Sequence, residues 1–301
     1  MQTIIITGTN GLLGQKILYA LKKTDVQIIA VAKGPNRTSN KYGYHYIDAD
    51  VSNQTLMAAI FETYRPNTII HTVALTNVDI CETQVELCWQ LNVKVVDYLA
   101  KLCQQYGTHF IHLSTDFIFD GNDGPYTETD KPNPLSVYAK SKLASEEIVK
   151  NLKTPWAIIR TIIIYGVVDD GQRSNIVLWV KQSLEKGLSI NVITDQIRNP
   201  TLAEDLADAC IQCAFKKATG VFHVSGPETM SIWDCAIATA KFFDLDTSLM
   251  KPVTTAQLKQ PALRPLITGF NIEKAITQLN YKPHTLQQGL TVIAKQLNNK
   301  N

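Results

Sequence analysis

Short apolar, β-branched runs alternate along the chain with stretches whose apolar positions recur every three or four residues. The runs are Thr3–Thr7, Val26–Ala32, Thr68–Ala74, His109–Thr115 and Trp156–Ile164; the amphipathic stretches between them include Gly14–Lys23, Gln54–Tyr64 and Glu86–Gly107. Almost unbroken apolar character suits strands buried on both faces, and the periodic stretches suit helices laid over them. Strand, helix, strand at this spacing predicts right-handed crossovers and a parallel sheet covered on both sides. Past Tyr165 the pattern loosens. A polar loop at 167–175 leads into the periodic Ile176–Gly187, and shorter elements follow among Pro227, Pro252, Pro261, Pro265 and Pro283. We therefore expect a doubly wound α/β domain over residues 1–165 and a smaller, partly interleaved domain over 166–301. The terminal Lys295–Asn301 should fray.

Composition acts mainly by exclusion. With 301 residues, 45% apolar and 19% charged, the chain has the make-up of a globular protein with a sizeable core. A net charge of +2 gives no electrostatic footprint for nucleic acid or an anionic membrane. No apolar stretch approaches the ~18 residues of a membrane span. The N-terminal run is short and has no basic segment before it, so it is read as a strand of a cytoplasmic protein and not as a signal peptide. Six scattered cysteines do not make a disulfide framework. Cys210 and Cys213 have redox-motif spacing but lie within a helical pattern, so they are read as small core residues. Glu146 and Glu147 are read as a solvated helix face and not as ligands; Mg2+ is admissible but not indicated.

Candidate chemistry begins where the first run ends, in "TGTNGLLG" (residues 7–14). Gly8 permits a tight turn, Gly11 lets backbone approach a pyrophosphate, and Gly14 allows the following helix to pack closely on the sheet. Asn10, Leu12 and Leu13 complete a loop that opens onto a helix N-terminus, where free N–H groups favour phosphate. The glycines alone also fit an ordinary turn. Their place between the first strand and the first helix of a repeating β-α pattern makes this a Rossmann-type dinucleotide site. An acid at the end of the second strand would hold the ribose hydroxyls of NAD, whereas the chain has Lys33 and Arg37 there. Unless they are merely solvated cations, they suit the 2′-phosphate of NADPH, with NADH still admissible. Asp50 and Val51 close the expected third strand, where adenine is contacted.

Tyr138 and Lys142 are four apart in the helical "SVYAKSKLASEE" and share one face of it. A phenol donates a proton poorly near neutral pH, and a neighbouring ammonium favours its ionised form. Such a pair recurs by chance in many helices. Here Ser114 and Thr115 lie at the C-terminal end of a strand about twenty residues earlier, where ligands of open parallel sheets bind. A hydroxyl there can hydrogen-bond a substrate carbonyl opposite the tyrosine.

The segments "TGTNGLLG", "ALTNVDICE", "STDFIFDG", "GPYTETDKPNPLSVYAKSKLASE", "IIRTIIIYG" and "DQIRNPT", in that order, resemble the extended short-chain dehydrogenases and, within them, the dTDP-4-dehydrorhamnose reductases. The resemblance runs from Met1 to about Leu263 and weakens beyond. It implies NADPH-dependent reduction of the 4-keto group of a dTDP-linked 6-deoxy sugar, giving dTDP-L-rhamnose for cell-surface polysaccharide. It further implies that Thr115, Tyr138 and Lys142 are the catalytic trio. Thr76 and Val78 would line the sugar pocket, Asn92 would hold the active-site helix, and Arg264 would lie near the nucleotide sugar. A homodimer is left open.

Three positions depart from the pattern, the first being Gly269, which follows Arg264-Pro265 where the family's segment ends in serine. Phe117 stands where the family has a tyrosine and Ile163 where it often has a tryptophan, which removes polar handles beside the sugar. Two other functions compete. A 4,6-dehydratase or 4-epimerase would share the fold, but dehydratases need an acid at the Phe117 position, and epimerases hold NAD, which fits poorly with Lys33 and Arg37. A non-catalytic NADP-binding subunit, similar to the β subunit of methionine adenosyltransferase, could retain the same trio.

Overall fold

The computed structural model describes residues 2–22, 24–170 and 174–298; parts of the polar loop 167–175 and of the tail 295–301 lie outside them. Strands β1 (Gln2–Thr7), β2 (Val26–Ala32), β3 (His45–Asp48), β4 (Thr68–His71), β5 (His109–Thr115) and β6 (Trp156–Thr161) come from the first half of the chain. β7 (Ile164–Tyr165), β8 (Ile190–Ile193), β9 (Ile197–Arg198), β10 (Thr201–Leu202), β11 (Gly220–Val224), β12 (Met230–Ser231) and β13 (Met250–Val253) follow. Seven of them form one parallel sheet in the order β11-β6-β5-β4-β1-β2-β3. The fold is the expected doubly wound α/β arrangement. Its outermost strand beside β6 comes from residues 220–224, so chain beyond Tyr165 returns to this sheet.

Alternation of side chains along the strands builds the two faces. Ile4, Ile6, Ile28 and Ala30 point to the side covered by α1 (Leu12–Leu21), whereas Ile5, Ile29 and Val31 point to the side covered by α2 (Gln54–Tyr64). Further along, the helices are α3 (Val78–Thr83), α4 (Val85–Trp89), α5 (Val95–Tyr106), α6 (Val137–Lys150), α7 (Ile176–Glu185) and α8 (Ala203–Lys216). α8 lies beside α1 and buries Cys210 and Cys213 in the same apolar layer. All six cysteines are buried and free, and Cys210 and Cys213 are the small core residues that their helical pattern predicts.

The expected elements change in three places. The Thr68–Ala74 run stops being a strand at His71. The stretch 86–107 is not one helix: a π-helical turn at Gln90–Lys94 separates α4 from α5. The Trp156–Ile164 run breaks after Thr161, and Ile163 sits at φ +27°, a strained backbone for a β-branched residue. Among the described residues no helix is long and apolar enough to cross a membrane.

Candidate active site

The carboxyl ends of β1, β2, β4 and β5 open into a cavity of about 920 Å³. Every residue singled out above for cofactor, catalysis or substrate borders it, apart from Gly14. That glycine works by packing: a Cβ on it would lie 2.3 Å from the Gly8 carbonyl oxygen. Gly8 itself takes φ +79°, and a Cβ there would meet the Thr72 hydroxyl at 2.6 Å. Gly11 is the N-cap of α1, and no side chain caps that helix. Its first N–H groups therefore stay available at the cavity wall, as a dinucleotide phosphate requires. The chain fits the group.

Asn10 braces this turn against the loop after β2. Its amide donates to the carbonyls of Lys33 (3.3 Å) and Pro35 (3.0 Å) and accepts the Arg37 N–H at 3.0 Å. The two cations expected to choose the cofactor are paired: Lys33 with Asp50 at 2.9 Å and Arg37 with Asp170 at 3.5 Å. Two hydrogen bonds from Ser52, reinforced by Lys33, hold the Asp50 carboxyl down at about 2. NADPH should bind more tightly than NADH, and a Lys33→Ala, Arg37→Ala double variant should close that gap by roughly tenfold. Calorimetric titration of both cofactors measures it; equal affinities in the parent protein would remove the proposed preference.

Helix α6 starts at Ser136, whose hydroxyl accepts the Ala139 N–H. It carries Tyr138 and Lys142 into the cavity, both almost fully buried. Burial raises the Tyr138 phenol above its ordinary value, with the Thr115 hydroxyl opposing. Burial also lowers Lys142, to about 8, against the charge of Glu146. The expected depression of the phenol by the lysine is therefore corrected. The Lys142 ammonium is turned to the Leu113 carbonyl (2.7 Å) and stands 3.3 Å from His112 Nε2. Desolvation wins, and the Tyr138 phenol stays protonated at neutral pH.

Thr115 ends β5 beside this phenol. Its hydroxyl donates to the Asp116 carboxylate at 3.1 Å and accepts the Phe117 N–H at 3.2 Å. Asp116 is buried and held by Thr268 (2.5 Å) and Arg198 (3.4 Å). Ser114 is not free to donate to a carbonyl, because its hydroxyl gives its proton to Glu146 at 2.6 Å. Phe117 packs edge-on against the Tyr138 ring.

Glu146 departs from its sequence reading. It is fully buried, not solvated, and pairs with Arg160 through two contacts of 3.0 and 2.8 Å. Burial opposes its charge, but Arg160 and Ser114 outweigh that and hold the carboxyl below its ordinary value. Its neighbour Glu147 is exposed, as expected. Asn92, in the middle of the π-helical turn, accepts the Leu75 N–H (2.8 Å) and donates to the Leu75 carbonyl (3.1 Å) and the Ser141 hydroxyl (3.0 Å). It thereby ties the loop after β4 to α6. Arg264 borders the cavity near Thr76 and Val78 and is paired with Asp79. Among the described residues no group of three or more metal-ligating side chains is present.

Comparison with known proteins bears on this arrangement as a whole. The β subunit of methionine adenosyltransferase 2 from Rattus norvegicus is 32% identical over 257 residues, 83% of this chain and 75% of that protein. Spore coat polysaccharide biosynthesis protein SpsK from Bacillus subtilis is 28% identical over 291 residues, 96% of each chain. The crystal structure of dTDP-4-dehydrorhamnose reductase from Bacillus anthracis in complex with NADP superposes with a TM-score of 0.86 at 25% identity, covering 98% of this chain and all of that one. A family model described as the RmlD substrate binding domain matches residues 1–299. The chain belongs to that family, as a Rossmann-type member with the glycine turn, Thr115, Tyr138 and Lys142 gathered around one cavity.

Proposed function

We propose that the protein is an NADPH-dependent reductase of the 4-keto group of a nucleotide-activated 6-deoxy sugar, with dTDP-4-dehydrorhamnose as substrate and dTDP-L-rhamnose as product, working in the cytoplasm. One observation carries the reading: a neutral, buried phenol stands beside a hydroxyl and a lysine in the same cavity that the glycine turn borders. The B. anthracis reductase, similar over the full length, supports it.

NADPH, where bound, supplies the hydride that reduces the carbonyl carbon. Tyr138 holds the proton that the carbonyl oxygen takes up as alkoxide charge develops, so carbonyl becomes secondary alcohol with one hydride and one proton. Thr115 fixes the position of that oxygen by turning its hydroxyl from Asp116 toward it. Lys142 offsets the phenolate once the proton has left. Asn92 keeps α6, and with it both side chains, in register with the loop that carries Thr76.

A second reading has its own support, since the methionine adenosyltransferase subunit reaches 32% identity over 257 residues: the protein would bind NADP and serve a partner without turning over a sugar. An NADPH-oxidation assay with a panel of dTDP-, UDP- and GDP-linked 4-ketosugars separates the two. Turnover of one of them, dTDP-linked first, is the expected result. Tight NADPH binding without turnover of any, together with a stable co-purifying partner, would favour the second reading.

A further inference from the structure

Arg264 uses only part of its guanidinium on its own fold. Nη1 donates to Asp79 Oδ1 (3.1 Å) and to the Ala262 carbonyl (3.1 Å), and Nη2 donates to Asp79 Oδ2 (2.8 Å). Asp79 Oδ1 also accepts the Ala262 N–H at 3.1 Å, so this one carboxylate fixes both the arginine and the turn that bears it to the first turn of α3. Nε carries no hydrogen bond to the described residues. The edge formed by Nε–H and the second Nη2–H is left over, and its fork matches two oxygens of a phosphate.

We propose that Asp79 is a positioning residue for the nucleotide-sugar substrate, holding Arg264 so that its remaining edge receives the diphosphate. This rests on the nucleotide-sugar reading given above. A sugar presenting C4 to Tyr138 has its diphosphate on C1, across the ring. Thr76 and Val78, next to Asp79 in sequence, border the cavity together with Tyr138 and Arg264. Asp79 could instead oppose an anionic ligand by its own charge. Two facts decide against this. The Arg264 guanidinium stands between the Asp79 carboxylate and the edge left for the ligand, so the nearer cation outweighs the more distant carboxylate. An arginine stem released from its partner must be ordered again on binding, and that entropy is worth about thirtyfold in affinity at full cost.

The test is calorimetric titration with dTDP at 0.15 M salt, with NADPH titrated alongside. Arg264→Ala should weaken dTDP by tenfold or more and Asp79→Asn by roughly three- to tenfold, both with NADPH affinity unchanged. The Asp79→Asn, Arg264→Ala double variant should bind dTDP no more weakly than Arg264→Ala alone, because Asp79 acts through the arginine. Unchanged or tighter dTDP binding by Asp79→Asn, additive losses in the double variant, or equal loss of NADPH would each overturn the assignment while leaving the reductase reading intact. A parent protein that binds none of dTDP, UDP or GDP would overturn that reading as well.

Discussion

Replacing Tyr138 with Phe should lower ketosugar turnover by about 10²- to 10⁴-fold while leaving NADPH affinity near that of the parent. The substitution removes one oxygen and keeps the ring, so its edge-on contact with Phe117 survives. The lost group is the phenol that burial keeps protonated. Lys142→Met should behave differently. Its ammonium both braces the end of β5, through the Leu113 carbonyl, and borders the cofactor cavity. Turnover and NADPH affinity should then fall together. Single-turnover kinetics and calorimetric titration on each variant distinguish the patterns. A Tyr138→Phe protein that reduces the sugar at the parent rate would remove Tyr138 as the acid.

The second large effect concerns stability. Glu146→Ala should destabilise the fold by about 3–5 kcal/mol, because it strands the Arg160 guanidinium as an unpaired buried charge. The Ser114 hydroxyl loses its acceptor in the same step. For a chain of this size the loss corresponds to a fall in Tm of roughly 5–8 °C. Glu147→Ala, one residue along on the exposed face, should stay within about 0.5 kcal/mol of the parent. Thermal denaturation of the two variants side by side is the measurement; equal Tm values would mean that the Glu146–Arg160 pair contributes nothing net.

That pair also shows where reading the sequence stops. The elements that rest on periodicity and local chemistry were legible: β2 and α2 fall on Val26–Ala32 and Gln54–Tyr64, as their patterns predict. The glycine turn was legible too, since its geometry depends on residues adjacent in the chain. Glu146 was not, because two neighbouring carboxylates on a helix look alike until the face each occupies is known. A signal did exist. Arg160 is the one charged residue of the Trp156–Ile164 run, and a lone cation inside a buried strand demands a buried counter-ion. The direction of the Tyr138 shift was missed for a related reason: spacing reports which face two residues share, but not how deeply that face is desolvated. Asp79 and Arg264, 185 positions apart, meet only through tertiary structure. The strained Ile163 and the π-helical turn that carries Asn92 follow from packing that no local pattern announces.

The most direct test of the central claim is transfer of label from cofactor to sugar. The protein is incubated with NADPH deuterated at the nicotinamide C4 position and the dTDP-linked 4-keto-6-deoxy sugar, and the dTDP-sugar is then examined by mass spectrometry and NMR. The expected product is dTDP-L-rhamnose carrying deuterium at C4 of the sugar, formed by the parent protein and lost in Tyr138→Phe. Recovery of unreduced ketosugar with the labelled cofactor intact, from a protein that binds both, would contradict it.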